Sequence, residues 1–249
     1  YIFILCQLHP EFGPPLPPEE RILSKSKIFS VVAINVLPFI LLIVVVLGSI
    51  IIGATSPTEA ASIGAVGAIV LALAYRGLTW EKIKYSVYET MVVSSFVLLI
   101  TVAANIFGGV FLALKGGELI TKFLFSLPIG SYGILIVILV CIFIMGFFLD
   151  WIPILLIFIP VVAPMIPKLG FDPLWFGILI AVCLQTAFLT PPFATSIFYL
   201  KGIAPIEVEL VDIYRGVVPF VILQLIGLII CIVFPEIVLW LPIVTNMYR

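Results

Sequence analysis

The step Leu189-Thr190-Pro191-Pro192 stands between two apolar runs, 174–187 and 193–200, and it is where this chain is best equipped to bind something. Adjacent prolines remove two backbone donors and clash with the preceding turn, so a helix arriving here opens and leaves carbonyl oxygens unpaired. Hydrocarbon cannot satisfy those oxygens. Broken backbone at membrane depth is tolerated only inside protein or against a cavity holding water or an ion. Gln185 and Thr186 lie about one turn before Thr190. Their oxygens can join the freed carbonyls around a hard cation such as sodium, which is best served by oxygen ligands. The plainer alternative is that both side chains hydrogen-bond to neighbouring helices.

A second stretch, Gly146-Phe147-Phe148-Leu149-Asp150-Trp151-Ile152-Pro153, sits at the centre of about 36 mostly apolar residues. An aspartate at membrane depth costs a few kcal/mol, so it faces a cavity, a partner or an ion. Gly146 permits close backbone approach, and Pro153 suits the first turn of a new helix. A re-entrant hairpin follows, whose tip brings a helix C-terminus and the next helix N-terminus together in mid-membrane. Alternatively both arms span fully and Asp150 is a solvated loop residue, since 132–149 is long enough at about 1.5 Å per residue. A third candidate, Ser56-Pro57-Thr58-Glu59, is a helix-start pattern with a cap at Ser56 or Thr58. Glu59 there reads as a complement to the helix dipole rather than an ion ligand. The small residues Ala60, Gly64, Gly67 and Ala68 that follow suit close helix packing.

The elements that must position these residues are membrane helices. The chain is 63% hydrophobic and 10% charged, with mean hydropathy +1.37, which makes it an all-α polytopic membrane protein. Spans are expected at 29–53, 58–75, 91–114, 132–149, 152–166, 174–200 with the proline break inside it, and 217–241. Amphipathic stretches at 79–90 and 205–214 read as interfacial helices. The organisation is therefore 1–28, the end of a preceding helix and a Pro-rich linker; 29–90, scaffold helices and an interfacial arm; 91–204, a transport region with a hairpin at about 131–167 and a broken helix at about 174–200; and 205–249, a second arm and the last scaffold helix. Short helices interrupted by Gly or Pro point to the binding site of a secondary transporter.

Charge placement gives an orientation. Eight basic residues (Arg21, Lys25, Lys27, Arg76, Lys82, Lys84, Lys201 and Arg215) fall on one side and four (Lys115, Lys122, Lys168 and Arg249) on the other. The richer side is cytoplasmic, which puts the C-terminus outside. The basic residues sit at segment ends without clustering, so nucleic acid is not a partner; the lipid bilayer is. Cys6, Cys141, Cys183 and Cys231 lack metal or redox spacing, and the lone His9 sits in the linker. Those residues offer neither a cofactor site nor a catalytic pair, and no enzyme is expected. Gly108-Gly109 and Gly116-Gly117 read as hinge or interface glycines. With no initiator Met and a helix end at 1–8, the sequence reads as lacking its N-terminal part. It is not a signal peptide.

Taken in order, Gly53-Ala54-Thr55-Ser56-Pro57-Thr58-Glu59-Ala60-Ala61, Gly146 to Asp150, Pro160 and Pro164, Leu169-Gly170-Phe171-Asp172-Pro173, Phe176-Gly177 and Leu189 to Pro192 resemble the large membrane subunit of tripartite ATP-independent periplasmic transporters over essentially the whole chain. That subunit is roughly twice as long and holds two inverted repeats, so the resemblance implies the linker plus the second repeat. It implies sodium-coupled uptake of small organic acids by an elevator mechanism in the bacterial inner membrane, sodium being the coupling ion. A periplasmic solute-binding protein and a small four-helix membrane subunit are the implied partners. A carrier working without a binding protein, or a channel, is the alternative. Carried over, the ion and solute residues are Gly146, Leu149, Asp150, Gln185, Thr186, Thr190, Pro191, Pro192 and Ala194, with sodium at Gly146, Asp150, Thr186 and Thr190. Ala194 departs from the glycine usual in the family, and its methyl narrows the approach there. The run from Leu184 to Phe193, with Phe198 to Gly202, looks most like the branch assigned to mannitol or chloroaromatic compounds. One repeat carries one ion site and half a cavity, so this chain alone is not expected to transport.

Overall fold

The computed structural model describes residues 1–13, 25–191, 194–205 and 208–245. Pro14, Pro15, Pro17, Pro18 and Arg21 of the linker, Pro192 of the proline pair, and Arg249 lie outside them. Among the described residues there are helices and no strands, and the chain divides into two compact units, Tyr1–Ile83 and Lys84–Arg249.

The first unit contains α1 (Ile2–Leu8), α2 (Lys25–Asn35), α3 (Leu37–Ile51) and α4 (Pro57–Ala74). Its centre is the antiparallel pair α3 and α4, which turns at Gly53 with φ +73, a left-handed backbone that glycine adopts without penalty. The small residues of α4 form its contact face. A Cβ on Gly67 would overlap Leu42 Cδ1, and one on Gly64 would touch Val46 at 3.4 Å. Ser56 starts α4 through a capping box: its backbone N–H donates to Glu59 Oε2 (2.7 Å) and Glu59 N–H donates back to Ser56 Oγ (3.3 Å). Glu59 is exposed, as the dipole-complement reading expects. Tyr75 closes the far end, its hydroxyl donating to the Ile34 carbonyl and its ring stacked on Phe39.

Two joints differ from the sequence reading. The expected interfacial arm 79–90 and span 91–114 are one helix, α5 (Trp80–Ala113), because no Gly or Pro occurs between Trp80 and Phe107 to end it. At 34 residues it is about 51 Å long, well beyond the hydrocarbon core. The expected final span 217–241 is instead cut in two. Helix α12 (Leu210–Val233) takes in part of the second arm and α13 (Pro235–Val244) starts afresh. Pro235 has no N–H to continue the ladder and forces Phe234 out of the helical region, to φ −122, ψ 74.

In the second unit Lys115, with φ +60, joins α5 to α6 (Gly116–Phe125). The pair Gly116-Gly117 therefore begins a helix, where the sequence reading left only hinge or interface glycines. Helix α7 (Gly130–Met145) leads to the turn 146–150, and an irregular helix returns over Trp151–Leu169. It comprises α8 (Trp151–Pro153), a π-helical stretch at Ile154–Phe158, α9 (Ile159–Val162) and two 3₁₀ turns. Pro160, Pro164 and Pro167 account for the irregularity, since each removes a donor from the ladder. Helix α10 (Pro173–Ala187), capped by Asp172 through bonds from Leu174 and Trp175 N–H, follows, and α11 (Thr195–Ile203) resumes after the break.

The core of this unit is the surface that α10 shares with α7 and α12. Leu135, Ile138 and Ile142 of α7 meet Trp175, Leu179 and Cys183 of α10, with Ile154, Val162 and Met165 from the returning arm. Trp175 Nε1 donates to the Cys231 carbonyl (2.8 Å), tying α10 to α12. Four described helices are long and apolar enough to cross a membrane: Pro57–Ala74, Trp80–Ala113, Trp151–Leu169 and Leu210–Val233. In three of them 6% of the most apolar window is buried, against 33% in Trp151–Leu169, so that arm packs more against protein than the others do. Helices α7 and α10, at 16 and 15 residues, extend about 24 and 22 Å, short of the roughly 30 Å hydrocarbon thickness.

Candidate functional site

The turn at the hairpin tip and the end of α10 meet, and the contact is made by the absence of a side chain. Gly146 is buried, and a Cβ built on it would lie 2.5 Å from Cβ of Ala187. Its backbone, at φ −61 and ψ −17, is ordinary helix that any residue adopts. Glycine is required here for proximity rather than conformation. Cys183, one turn earlier, donates its thiol to the Leu139 carbonyl (3.4 Å), fastening the same two helices below the tip.

From Ala187 onward the backbone unravels in steps that the sequence explains. Pro191 offers no N–H to the Ala187 carbonyl, four residues before it, nor Pro192 to that of Phe188. The Phe188 carbonyl is recovered by Ser196 N–H (3.3 Å), which stitches the start of α11 back to the end of α10. The Thr186 carbonyl accepts from both Leu189 N–H (3.1 Å) and the Thr190 hydroxyl (2.9 Å). Thr186 itself is 0% exposed, and its hydroxyl donates to the Cys183 carbonyl (2.5 Å). A hydroxyl that donates to a carbonyl keeps its lone pairs, so Thr186 and Thr190 remain oxygen donors for a cation.

Ala194 completes the turn at φ +28 and ψ 50, fully buried against Ile197 and Ile213. A left-handed backbone is the territory of glycine, so Ala194 holds a conformation that costs a residue with a side chain more than it costs glycine. Alanine is the smallest side chain that tolerates it. Ala194→Val, β-branched and without room, is expected to destabilise the folded protein by about 2–3 kcal/mol. Thermal unfolding in detergent checks this, with Ala194→Gly expected to stay within about 1 kcal/mol of the parent.

The remaining candidates divide. Asp150 is half-buried and caps the returning arm, its Oδ1 accepting from Trp151 N–H (2.9 Å). Among the described residues it makes no hydrogen bond to α10 or to the 186–191 segment. Leu149 is exposed, as is Pro191, and Pro192 lies outside the described residues. Gln185 is exposed, and its Oε1 accepts from Gln224 Nε2 of α12 (2.9 Å), a bond to a neighbouring helix of the kind the plainer alternative expects. Gln224 was missed by sequence reasoning. Its signal was there: a single amide in the apolar run 217–233. Gln185, Gln224, Phe188, Leu189 and Ser196 line an open cleft of about 370 Å³ beside the break.

The break thus offers oxygens from hydroxyls and carbonyls, and the hairpin tip the carboxylate of Asp150, with no Lys or Arg in α7 or α10 to compete for them. Among the described residues no three His, Cys, Asp or Glu side chains gather. This donor set fits a hard, weakly held cation.

Residues 16–237, which include both the tip and the break, match the family described as "Tripartite ATP-independent periplasmic transporter, DctM component". The chain belongs to this family. It is similar to an uncharacterised protein of Salmonella typhimurium, YgiK (32% identical over 83% of this chain and 47% of the relative). It is also similar to the isethionate TRAP transporter permease of Oleidesulfovibrio alaskensis (31%, over 78% and 30%) and the large permease of the ectoine TRAP transporter of Halomonas elongata (31%, over 80% and 46%). The chain spans half or less of the length of these relatives. Membership of a transporter permease family, together with the long apolar helices, makes it part of a multi-pass membrane protein.

Proposed function

We propose that this chain forms the second repeat of a sodium-coupled permease of the bacterial inner membrane, importing a small organic acid by an elevator mechanism. The observation that carries the reading is the contact of Gly146 with Ala187, which seats the hairpin tip on the last turn of α10 directly before the proline break. Two interrupted elements meeting at their ends is the arrangement by which secondary transporters hold ion and solute. The moving part comprises the hairpin 131–167 and the broken helix 174–200; the helices of 29–90 and 205–249 are the scaffold, supported by a small four-helix subunit. Sodium lies among the Gly146 backbone, Asp150, Thr186 and Thr190, and the solute beside it at 190–194.

The chemistry explains the coupling. A carboxylate entering a low-dielectric cavity needs compensating charge, and α7 and α10 contain no cationic side chain. Bound sodium supplies it. Sodium then raises solute affinity, and the solute raises sodium affinity by the same factor, within the 5- to 150-fold range of ordinary couplings. Isethionate and ectoine, the solutes in the names of two relatives, are small polar molecules that each carry an acidic group. A periplasmic binding protein delivers the solute.

The test is uptake into proteoliposomes holding the permease that carries this chain, its small subunit and its binding protein. Saturable accumulation that needs both an inward sodium gradient and the binding protein is the expected result. Accumulation without the binding protein identifies a carrier of another mode, and unsaturable leak identifies a channel.

A further inference from the structure

Away from the tip and the break, the second unit holds a cleft of about 430 Å³ between the α5–α6 junction and the returning arm. Three lysines line it: Lys115 at the junction, Lys122 on α6 and Lys168 at the end of the arm. One carboxylate, Glu118, lines it with them. None of the three lysines forms an ion pair among the described residues, with Glu118 or with anything else. Three cations facing one carboxylate leave the cleft with an unneutralised positive charge, at the margin of an apolar protein.

Leu112, Pro160, Val161 and Pro164 give the wall an apolar side, and Thr121, whose hydroxyl donates to the Gly117 carbonyl (2.7 Å), lines it too. Helix α6 explains how the two characters come together. Its three faces point three ways: Leu124 is buried and Ile120 packs on the core; Glu118 and Lys122, four residues apart, share the cleft; and Leu119 and Phe123 are 72% and 63% exposed. In a membrane, exposed Leu119 and Phe123 face lipid, about 100° around α6 from the residues that line the cleft, so the cleft lies beside acyl chains. A free anion would use the lysines and leave the apolar wall wet. A ligand with an anionic head and a hydrocarbon tail uses both.

We propose that this cleft binds an anionic phospholipid, its phosphate among Lys115, Lys122 and Lys168 and the start of an acyl chain along Leu112, Pro160 and Pro164. Basic pockets between membrane helices bind anionic headgroups through their phosphates; the charge count expects these three lysines on the outer side, so the lipid is one of the outer leaflet of that membrane. Because residues of α6 and of the returning arm both line the cleft, the lipid braces that arm against α6. The proposal is independent of the sodium site and survives if transport proves sodium-independent.

The experiment is native mass spectrometry of the detergent-purified permease carrying this chain, titrated with phosphatidylglycerol, phosphatidylcholine and inorganic phosphate. One tightly held phosphatidylglycerol is expected, displaced by neither of the others at millimolar concentration. Each of Lys115→Gln, Lys122→Gln and Lys168→Gln should weaken it about fivefold, and the triple variant about a hundredfold. Glu118→Gln should tighten it, a gain that a merely damaged fold cannot produce. Lys84→Gln, the same charge change outside the cleft, should leave it unchanged. Displacement by phosphate, retention in the triple variant, no tightening in Glu118→Gln, or an equal loss in Lys84→Gln overturns the proposal.

Discussion

Gly146→Ala is expected to reduce solute uptake about tenfold or more while the protein still inserts and folds. The new methyl carbon would lie 2.5 Å from Cβ of Ala187, with backbone oxygens of Phe143 and Ile142 at 3.3 and 3.5 Å on its other side. Something must move, and the carbonyls belong to helix α7, so the displacement falls on the tip or on the end of α10. Overpacking of this kind costs roughly 1–3 kcal/mol, a small loss of stability for a large protein. At a binding site, however, a displacement of the order of 1 Å suffices for a hundredfold loss. The decisive control is the reciprocal variant. Gly146→Ala with Ala187→Gly moves the methyl from one side of the contact to the other and should recover most of the uptake, an interaction visible as non-additivity in a double-mutant cycle. Full activity in the single variant, or no recovery in the double, would mean that the contact does not position the site.

Asp150 carries the second large effect, and here charge can be separated from capping. Asparagine caps a helix as well as aspartate does, whereas alanine loses about 1 kcal/mol at such a position. Asp150→Asn therefore keeps the bond from Trp151 N–H and discards only the negative charge. The expected outcome is an unfolding temperature close to that of the parent, with the sodium concentration for half-maximal uptake raised about tenfold or more, since ligand charge sets cation affinity. Asp150→Ala should show the same sodium defect together with lower stability. The structure places the carboxylate on its own helix start without a bond to Thr186 or Thr190, so this experiment decides its membership of the ion site. An unchanged sodium dependence in Asp150→Asn would make Asp150 a cap and nothing more.

The features legible in the sequence are those written in backbone chemistry. Two prolines in succession remove two donors wherever they occur, and the helix does end at Ala187 and resume at Thr195. The helix start expected at Ser56-Pro57-Thr58-Glu59, with a cap at Ser56 or Thr58, is capped by Ser56, in a reciprocal box with Glu59. Gly64 and Gly67 were read as packing residues, and Val46 and Leu42 approach them. The joints were harder, because a span ends by tertiary and membrane context as much as by local pattern. Nothing between Trp80 and Phe107 stops a helix, so the expected arm and span fused; Pro235 lay within an apolar run and its cut was passed over. Thr186 and Thr190 are legible as polar residues beside the break, and the Thr190 hydroxyl bonds the Thr186 carbonyl. Gln185 stands next to Thr186 in sequence, but neighbouring helical residues point about 100° apart, and its amide meets Gln224 on the wall of the cleft beside the break. The Gly146 contact with Ala187 could not be read at all: it joins residues 41 positions apart, and only packing reveals it.

The measurement that tests the central claim most directly is the sodium dependence of uptake in proteoliposomes, parent beside Thr186→Val. Valine matches the volume of threonine at this fully buried position, and it removes the hydroxyl oxygen assigned to the ion while costing one hydrogen bond, about 1 kcal/mol. The account predicts saturable, sodium-dependent uptake in the parent and a half-saturating sodium concentration raised several-fold in the variant, with the dependence on the binding protein unchanged. Uptake by the parent that ignores sodium, or identical sodium curves for the two proteins, would contradict it.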